Sequence, residues 1–146
     1  MSITPRPSNF GFVGQAWPQL IIECRNAEDA ALTNPRASMF QSRFVLEQVI
    51  GHIAALNGLE KQSNIFDTLT NPDFSRLLPE TIRSKMHILR KAGNTAVHSE
   101  AHITSDEALQ ALKHLYDVMV FATTHFSGKT IRGIAPFDVE ILKQAP

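Results

Sequence analysis

The sequence predicts an all-α domain, a helical bundle of four main helices with short additional helices. Apolar residues recur three or four positions apart in four long segments, which is the spacing of one face of a helix. Residue types that begin and end helices stand at the borders of these segments. No segment shows the alternation of apolar and polar residues that is typical of a half-buried strand. The length, 146 residues, suits one compact domain.

The charge balance argues against a protein that grips nucleic acid by itself. Fourteen Lys and Arg residues balance fourteen Asp and Glu residues, whereas domains that bind phosphate backbones are usually basic.

The single cysteine, Cys24, lies in an apolar run, and we interpret it as a buried packing residue. The chain has neither the roughly 18 apolar residues of a membrane span nor a secretion signal. We therefore expect a cytoplasmic protein without membrane contact.

The first elements are a lead-in and one long helix. Residues 1–7 are polar and rich in proline, and we expect a flexible lead-in there, with the bundle domain over residues 8–126. Pro18 suits the first turn of a helix. The apolar positions that follow at helical spacing are Leu20, Cys24, Ala27 and Ala31.

The central helix is predicted over residues 35–56. Asn34 suits the N-cap and Pro35 the first helical position, and Asn57-Gly58 is a typical helix end. The segment is apolar nearly all round, with Phe40 and Phe44 on one side, which is typical of a helix in the middle of a bundle.

The second half of the chain predicts two further long helices. A short helix at residues 63–69 and a turn at residues 71–73 precede a helix that opens at residues 79–80. Its inward positions are predicted to be Ile82, Met86, Leu89, Gly93 and Val97. The last helix begins with a capping box, Thr104 and Glu107, and runs to about residue 126. Its inward positions are predicted to be Leu109, Leu112, Tyr116, Met119 and Ala122.

Residues 127–146 predict a linker that leads out of the domain. Glycines and a proline interrupt the helical pattern there. The apolar run at residues 137–142 is expected to be too short to anchor the segment.

Two polar groups are embedded in the apolar helices. Arg43 and Glu47 stand four residues apart in the central helix. In the third long helix, Asn94 and His98 have the same spacing. A carboxylate among apolar residues requires partners, so we predict a structural network of Arg43, Glu47, Asn94 and His98 that fixes how the two helices dock.

Gly93 lies inside the apolar stripe next to this predicted network. Glycine within a helix costs about 1 kcal/mol relative to alanine, and we expect the close approach of a neighbouring helix in return. The same polar residues allow a functional alternative, a catalytic site formed by His98, Arg90 and Arg43.

Other chemistry is not indicated. The remaining histidines lack metal-ligand spacing, and no nucleotide-binding glycine loop or nucleophile elbow is present. We expect no metal and no cofactor for this domain. The basic residues of the third long helix are interpreted as a solvated face; they are Arg83, Lys85, Arg90 and Lys91.

Four pieces of the sequence together resemble one domain family. They are residues 8–12 (Ser-Asn-Phe-Gly-Phe), residues 34–37 (Asn-Pro-Arg-Ala), the Arg43/Glu47 pair, and residues 90–98 (Arg-Lys-Ala-Gly-Asn-Thr-Ala-Val-His). Over about residues 8–126 the chain resembles the N-terminal helical domain of the restriction (R) subunits of type I restriction enzymes. Residues 136–142 also resemble the segment that leads into the nuclease and motor domains.

The resemblance implies a parent protein with chemistry that these residues lack. Such a parent is an ATP-dependent, DNA-translocating endonuclease that uses ATP and Mg. The nuclease and ATP-binding motifs match nothing in this sequence. We therefore expect a non-catalytic assembly domain, with the other domains of the R subunit and the modification and specificity subunits as partners.

The domain also resembles the HEPN group of helical bundles, many of which are RNases. Their motif is an arginine, a polar residue, three further residues and a histidine. This sequence keeps Asn94 and His98 but has Gly93 in the arginine's place, which implies the scaffold without the chemistry. A metal-independent RNase in which Arg90 or Arg43 substitutes stays an alternative, as does an accessory domain that contacts nucleic acid.

Overall fold

The structure, a computed structural model, describes residues 7–60 and 62–143. Its α-helices are α1 (Val13–Ala16), α2 (Pro18–Ala30), α3 (Pro35–Leu56), α4 (Ile65–Thr70), α5 (Pro72–Ser75), α6 (Glu80–His98) and α7 (Ser105–Phe126). A 3-10 helix, Val139–Lys143, ends the described chain. Within these ranges no strand occurs, and the all-α class is confirmed.

The long helices α2, α3, α6 and α7 form a bundle with α3 in the middle. Helix α3 packs against each of the other three, and α6 packs against α7. The short helix α4 lies against α5 and α6, and α1 lies against α2 and α7. The predicted bundle of four main helices with short additions is thus confirmed.

The residues at the helix borders act as their types predict. The Asn34 side chain accepts a hydrogen bond from the Ala37 N–H at the start of α3. Thr104 and Glu107 form both halves of the capping box at the start of α7. The turn predicted at residues 71–73 is instead the beginning of a single helical turn, α5, because Asn71 accepts hydrogen bonds from two of its first N–H groups.

One predicted inward position of α6 is wrong. Val97 is 51% exposed, and Ala96 is buried in its place, because the next buried position follows Gly93 by three residues rather than four. On α3, Phe40 and Phe44 remain 46% and 39% exposed. The central helix therefore has one uncovered side, between its contacts with α2 and α6.

The segment after α7 packs against the bundle. Four of its apolar side chains are partly buried on the core, namely Ile131, Ile134, Phe137 and Leu142. The expectation that this run is too short to anchor the segment is wrong, because side-chain amides of the bundle bind its main chain as well. That the segment leads on into further domains stays a prediction.

Within the described part of the chain, no helix is both long and apolar enough to cross a lipid bilayer.

Candidate functional site

The predicted polar network lies where α3 faces α6. Arg43 and Glu47 form an ion pair whose Nη1–Oε2 distance is 3.9 Å, and their side chains are 27% and 38% exposed. A pair of this length at partial exposure contributes little stability. It does satisfy part of the requirement of the Glu47 carboxylate for a partner.

The other two members of the predicted network lie on α6. His98 is the last residue of this helix and is exposed, while Asn94 is partly buried and follows Gly93 directly. That the four residues form one network stays a prediction.

Gly93 is a point of close approach between α3 and α6. A Cβ atom added there would lie only 2.7 Å from Cγ of Arg43, and closer still to two other carbons of that side chain. The aliphatic stem of Arg43 therefore occupies the space of a side chain at position 93. The expected close approach is present, and it is made by a side chain of the neighbouring helix.

Two arginine side chains beside this contact keep unused donors. Nε of Arg43 and Nε of Arg90 are buried, and neither has a hydrogen-bond partner in the described structure. The guanidinium carbon of Arg90 lies 5.1 Å from the centre of the Phe66 ring, in a cation–π contact. The arginines of the catalytic alternative are thus placed chiefly by packing contacts.

The surroundings of His87 on α6 change the pKa of its imidazole. Partial burial lowers the pKa of His87, and the positive charges of Arg90, Lys91 and Arg83 lower it further. Cations along this face therefore raise the local potential.

The basic residues of α6 that were predicted to form a solvated face are only partly free of contacts with other elements. Nη1 of Arg83 donates to the carbonyl oxygens of Ser75 and Leu78 at 3.0 and 3.2 Å. Nζ of Lys85 lies 2.7 Å from the Asp117 carboxylate of α7. Both cations hold neighbouring elements in place, whereas Lys91 is exposed.

Asp117 joins α6 to α7 through two lysines. Partial burial pushes its pKa up, but hydrogen bonds from Lys113 and Lys85, together with their charges, outweigh this and lower the pKa overall. The Lys113 contact, 2.6 Å, lies within α7, so the link between the helices is the contact with Lys85.

A groove of about 310 Å³ runs between α6 and α7. His114 lies on its wall, with a buried Nδ1 that has no hydrogen-bond partner in the described structure. Partial burial lowers the pKa of His114, and the charge of Lys85 adds to the effect. A neutral imidazole is therefore favoured at this position.

Arg36 is a structural residue whose role sequence reasoning did not assign. Its guanidinium donates to the carbonyl oxygens of Ala96, Ser99 and Ala101 at 2.7, 2.8 and 2.6 Å. The first two acceptors lie at the C-terminus of α6, where carbonyl groups lack a partner within the helix, and the third lies in the loop that follows. No local signal identifies this role, since the partners lie about sixty residues away in the chain.

Glu28 is a second such residue, and it is only 2% exposed. Its carboxylate accepts hydrogen bonds from the Asn9 N–H at 2.8 Å and from the Ser8 hydroxyl at 2.7 Å. Glu28 stands four residues after the buried Cys24, and this spacing is a signal for burial that the sequence contains.

The described residues contain no group of three or more side chains that could hold a metal ion.

Neither the curated proteins nor the solved structures contain a match to this chain. A family model, described as Domain of unknown function (DUF4145), matches residues 25–132. This match includes the central helix, the Arg43/Glu47 pair and the whole of α6 and α7, and the chain belongs to this family of domains of unknown function.

Proposed function

We propose that this chain is a non-catalytic assembly domain of the R subunit of a type I restriction enzyme, with a HEPN-like bundle as its scaffold. The observation that carries the proposal is the uncovered side of α3, on which Phe40 and Phe44 are 46% and 39% exposed. Two aromatic side chains at i,i+4 share one helix face. Exposed aromatic residues are frequent anchors of protein–protein interfaces.

The resemblance supplies the proposed partner, which is the nuclease and motor region of an R subunit. The neutral charge supports docking to protein rather than to a phosphate backbone.

The test uses the intact chain and the nuclease and motor region expressed separately. Phe40→Ser combined with Phe44→Ser is expected to weaken binding by about ten-fold or more, because aromatic anchors dominate interface energies. Isothermal titration calorimetry measures the affinity. Leu56→Ser is the matched control, since Leu56 is 62% exposed on the same helix but points in another direction. Equal affinities for all three chains, or no binding by the unaltered chain, would exclude this role.

One observation favours a rival function, a metal-independent RNase. The Arg43 stem fills the space beside Gly93, which is the motif position where HEPN RNases carry arginine. In this alternative Arg43, or Arg90, would stabilise phosphate charge while His98 acts as the acid or base. Cleavage of single-stranded RNA that disappears in His98→Ala would establish the rival.

A further inference from the structure

The segment that follows α7 is held by side chains that bind its main chain. Nε2 of Gln15 donates to the Arg132 carbonyl at 2.7 Å, and the Arg132 N–H donates to Oε1 of the same glutamine at 3.0 Å. Asn9 makes the same pair of bonds with Asp138, at 3.1 and 2.8 Å. An amide that bonds both main-chain groups of one residue imitates a paired residue in a sheet. It recognises a backbone, whatever side chain that residue carries.

These contacts recur at every third residue of the segment. Between Arg132 and Asp138, the carbonyl of Ala135 accepts a hydrogen bond from the Tyr116 hydroxyl. The apolar side chains have the same spacing and lie on the core; they are Ile131, Ile134 and Phe137. Along this segment the protein therefore contacts a main-chain group and an apolar side chain at every third residue.

The binding surface, which we call the tail groove, consists of Asn9, Gln15 and Tyr116. Its parts are fixed by contacts with the bundle. The Asn9 N–H is bound by the buried carboxylate of Glu28. The ring of Phe12 packs edge-on against Tyr116, with 5.7 Å between the ring centres.

The segment fills its surroundings incompletely. A cavity of about 210 Å³ lies between it and the residues before and within α1, and a second of about 510 Å³ is lined by Phe137, Val139 and residues of α7. Residues 131–138 have no regular secondary structure. Gly133 has a positive φ of 73°, a conformation that favours glycine.

We propose that the tail groove is a peptide-binding site that residues 131–138 occupy within the same chain. Its ligand in trans is an irregular, extended peptide with apolar side chains at every third residue. The recognition consists of the five main-chain hydrogen bonds and the apolar row. This site goes beyond the assembly role proposed above and lies apart from Phe40 and Phe44 of α3.

The test uses the full chain and a fluorescent peptide with the sequence of residues 130–143. Ile134→Ala combined with Phe137→Ala weakens the internal occupant and leaves the groove unchanged. If the internal segment leaves the groove free in only a tenth of the molecules, the apparent Kd of the peptide is about ten-fold higher than its Kd for the free groove. We therefore expect the peptide to bind the double variant about ten-fold more tightly than the unaltered chain, as measured by fluorescence anisotropy.

Two controls make the result specific to the groove. Gln15→Ala in the same background removes both bonds to Arg132 from an exposed position, and we expect it to weaken peptide binding about five-fold or more. A peptide with serine in place of Ile131, Ile134 and Phe137 is expected not to bind. Equal binding by the double variant and the unaltered chain, or binding that ignores Gln15→Ala, would overturn the proposal.

If the double variant does not fold, hydrogen exchange on the unaltered chain tests the proposal independently. Peptide at about 1 mM, the range of effective concentration of a short tether, is expected to accelerate exchange of the Arg132 and Asp138 amides. Unchanged exchange of these two amides at that concentration would also overturn the proposal.

Discussion

At the scale of single residues, the contact between Gly93 and Arg43 decides how closely α3 and α6 approach. Glycine is unfavourable inside a helix, and alanine at an exposed position would stabilise it. Here the stem of Arg43 fills the space that a Cβ atom would need. Glycine is therefore the more favourable residue at position 93. The Cβ atom of an alanine there would overlap the Cβ of Arg43, which can move only together with the backbone of α3.

Gly93→Ala is expected to destabilise the protein by about 1–3 kcal/mol, the range for an overfilled packed site. Urea unfolding followed by circular dichroism measures the change. Gly11→Ala is the control, since a Cβ atom there meets nothing within 4 Å, and it is expected to change stability by less than about 0.5 kcal/mol. An increase in stability for Gly93→Ala would contradict the packing described here.

At the scale of helices, the ends are held by contacts of very different range. The N-caps of α3 and α7 are made by residues within the same first turn. The C-terminus of α6 is instead held by Arg36 at the start of α3, through three carbonyl groups. Arg36 thereby fixes the register between the two helices as well as the end of one of them.

Arg36→Ala is expected to cost about 2 kcal/mol of stability, because three carbonyl groups lose a charged donor. Arg36→Lys is expected to recover less than half of this loss, since a single ammonium group cannot reproduce the planar fork of a guanidinium. Thermal or urea unfolding measures both variants.

Arg76→Ala provides the control for loss of a positive charge. Arg76 is 73% exposed in an ion pair with Asp73, and its removal is expected to have little effect. Losses of equal size for Arg36→Ala and Arg76→Ala would show that the three carbonyl contacts contribute nothing.

At the scale of the whole molecule, protonation of histidines couples pH to folding. His87 and His114 both have pKa values below their ordinary value of 6.5 in the folded protein, chiefly because burial disfavours the charged ring. The unfolded chain then binds more protons than the folded chain below pH 6.5. Their contribution to stability is complete above that pH and is lost as the pH falls toward the lowered values.

The protein is expected to unfold at lower urea concentration at about pH 5.5 than at about pH 7.5, and His114→Gln is expected to reduce this difference. His125→Gln is the control, because His125 is exposed near the end of α7. A difference between the two pH values that is the same in all three chains would contradict this origin.

Local signals in the sequence are enough to predict the helices and most of their ends. The start of α3 at Pro35, the capping box at Thr104 and the apolar faces of α6 and α7 follow from contacts within one or two helical turns, which the order of residues specifies directly. The close approach at Gly93 also follows, because an unfavourable residue in a helix requires compensation.

How the helices pack against one another follows from the three-dimensional arrangement. It placed Ala96 rather than Val97 in the core, left His98 at an exposed helix end, and brought Arg36 to carbonyls some sixty residues away. The segment after α7 packs back on the bundle for the same reason, since its main chain meets Gln15 in three dimensions. Such contacts depend on helix rotation and on partners distant in the chain, and neither is set by local periodicity.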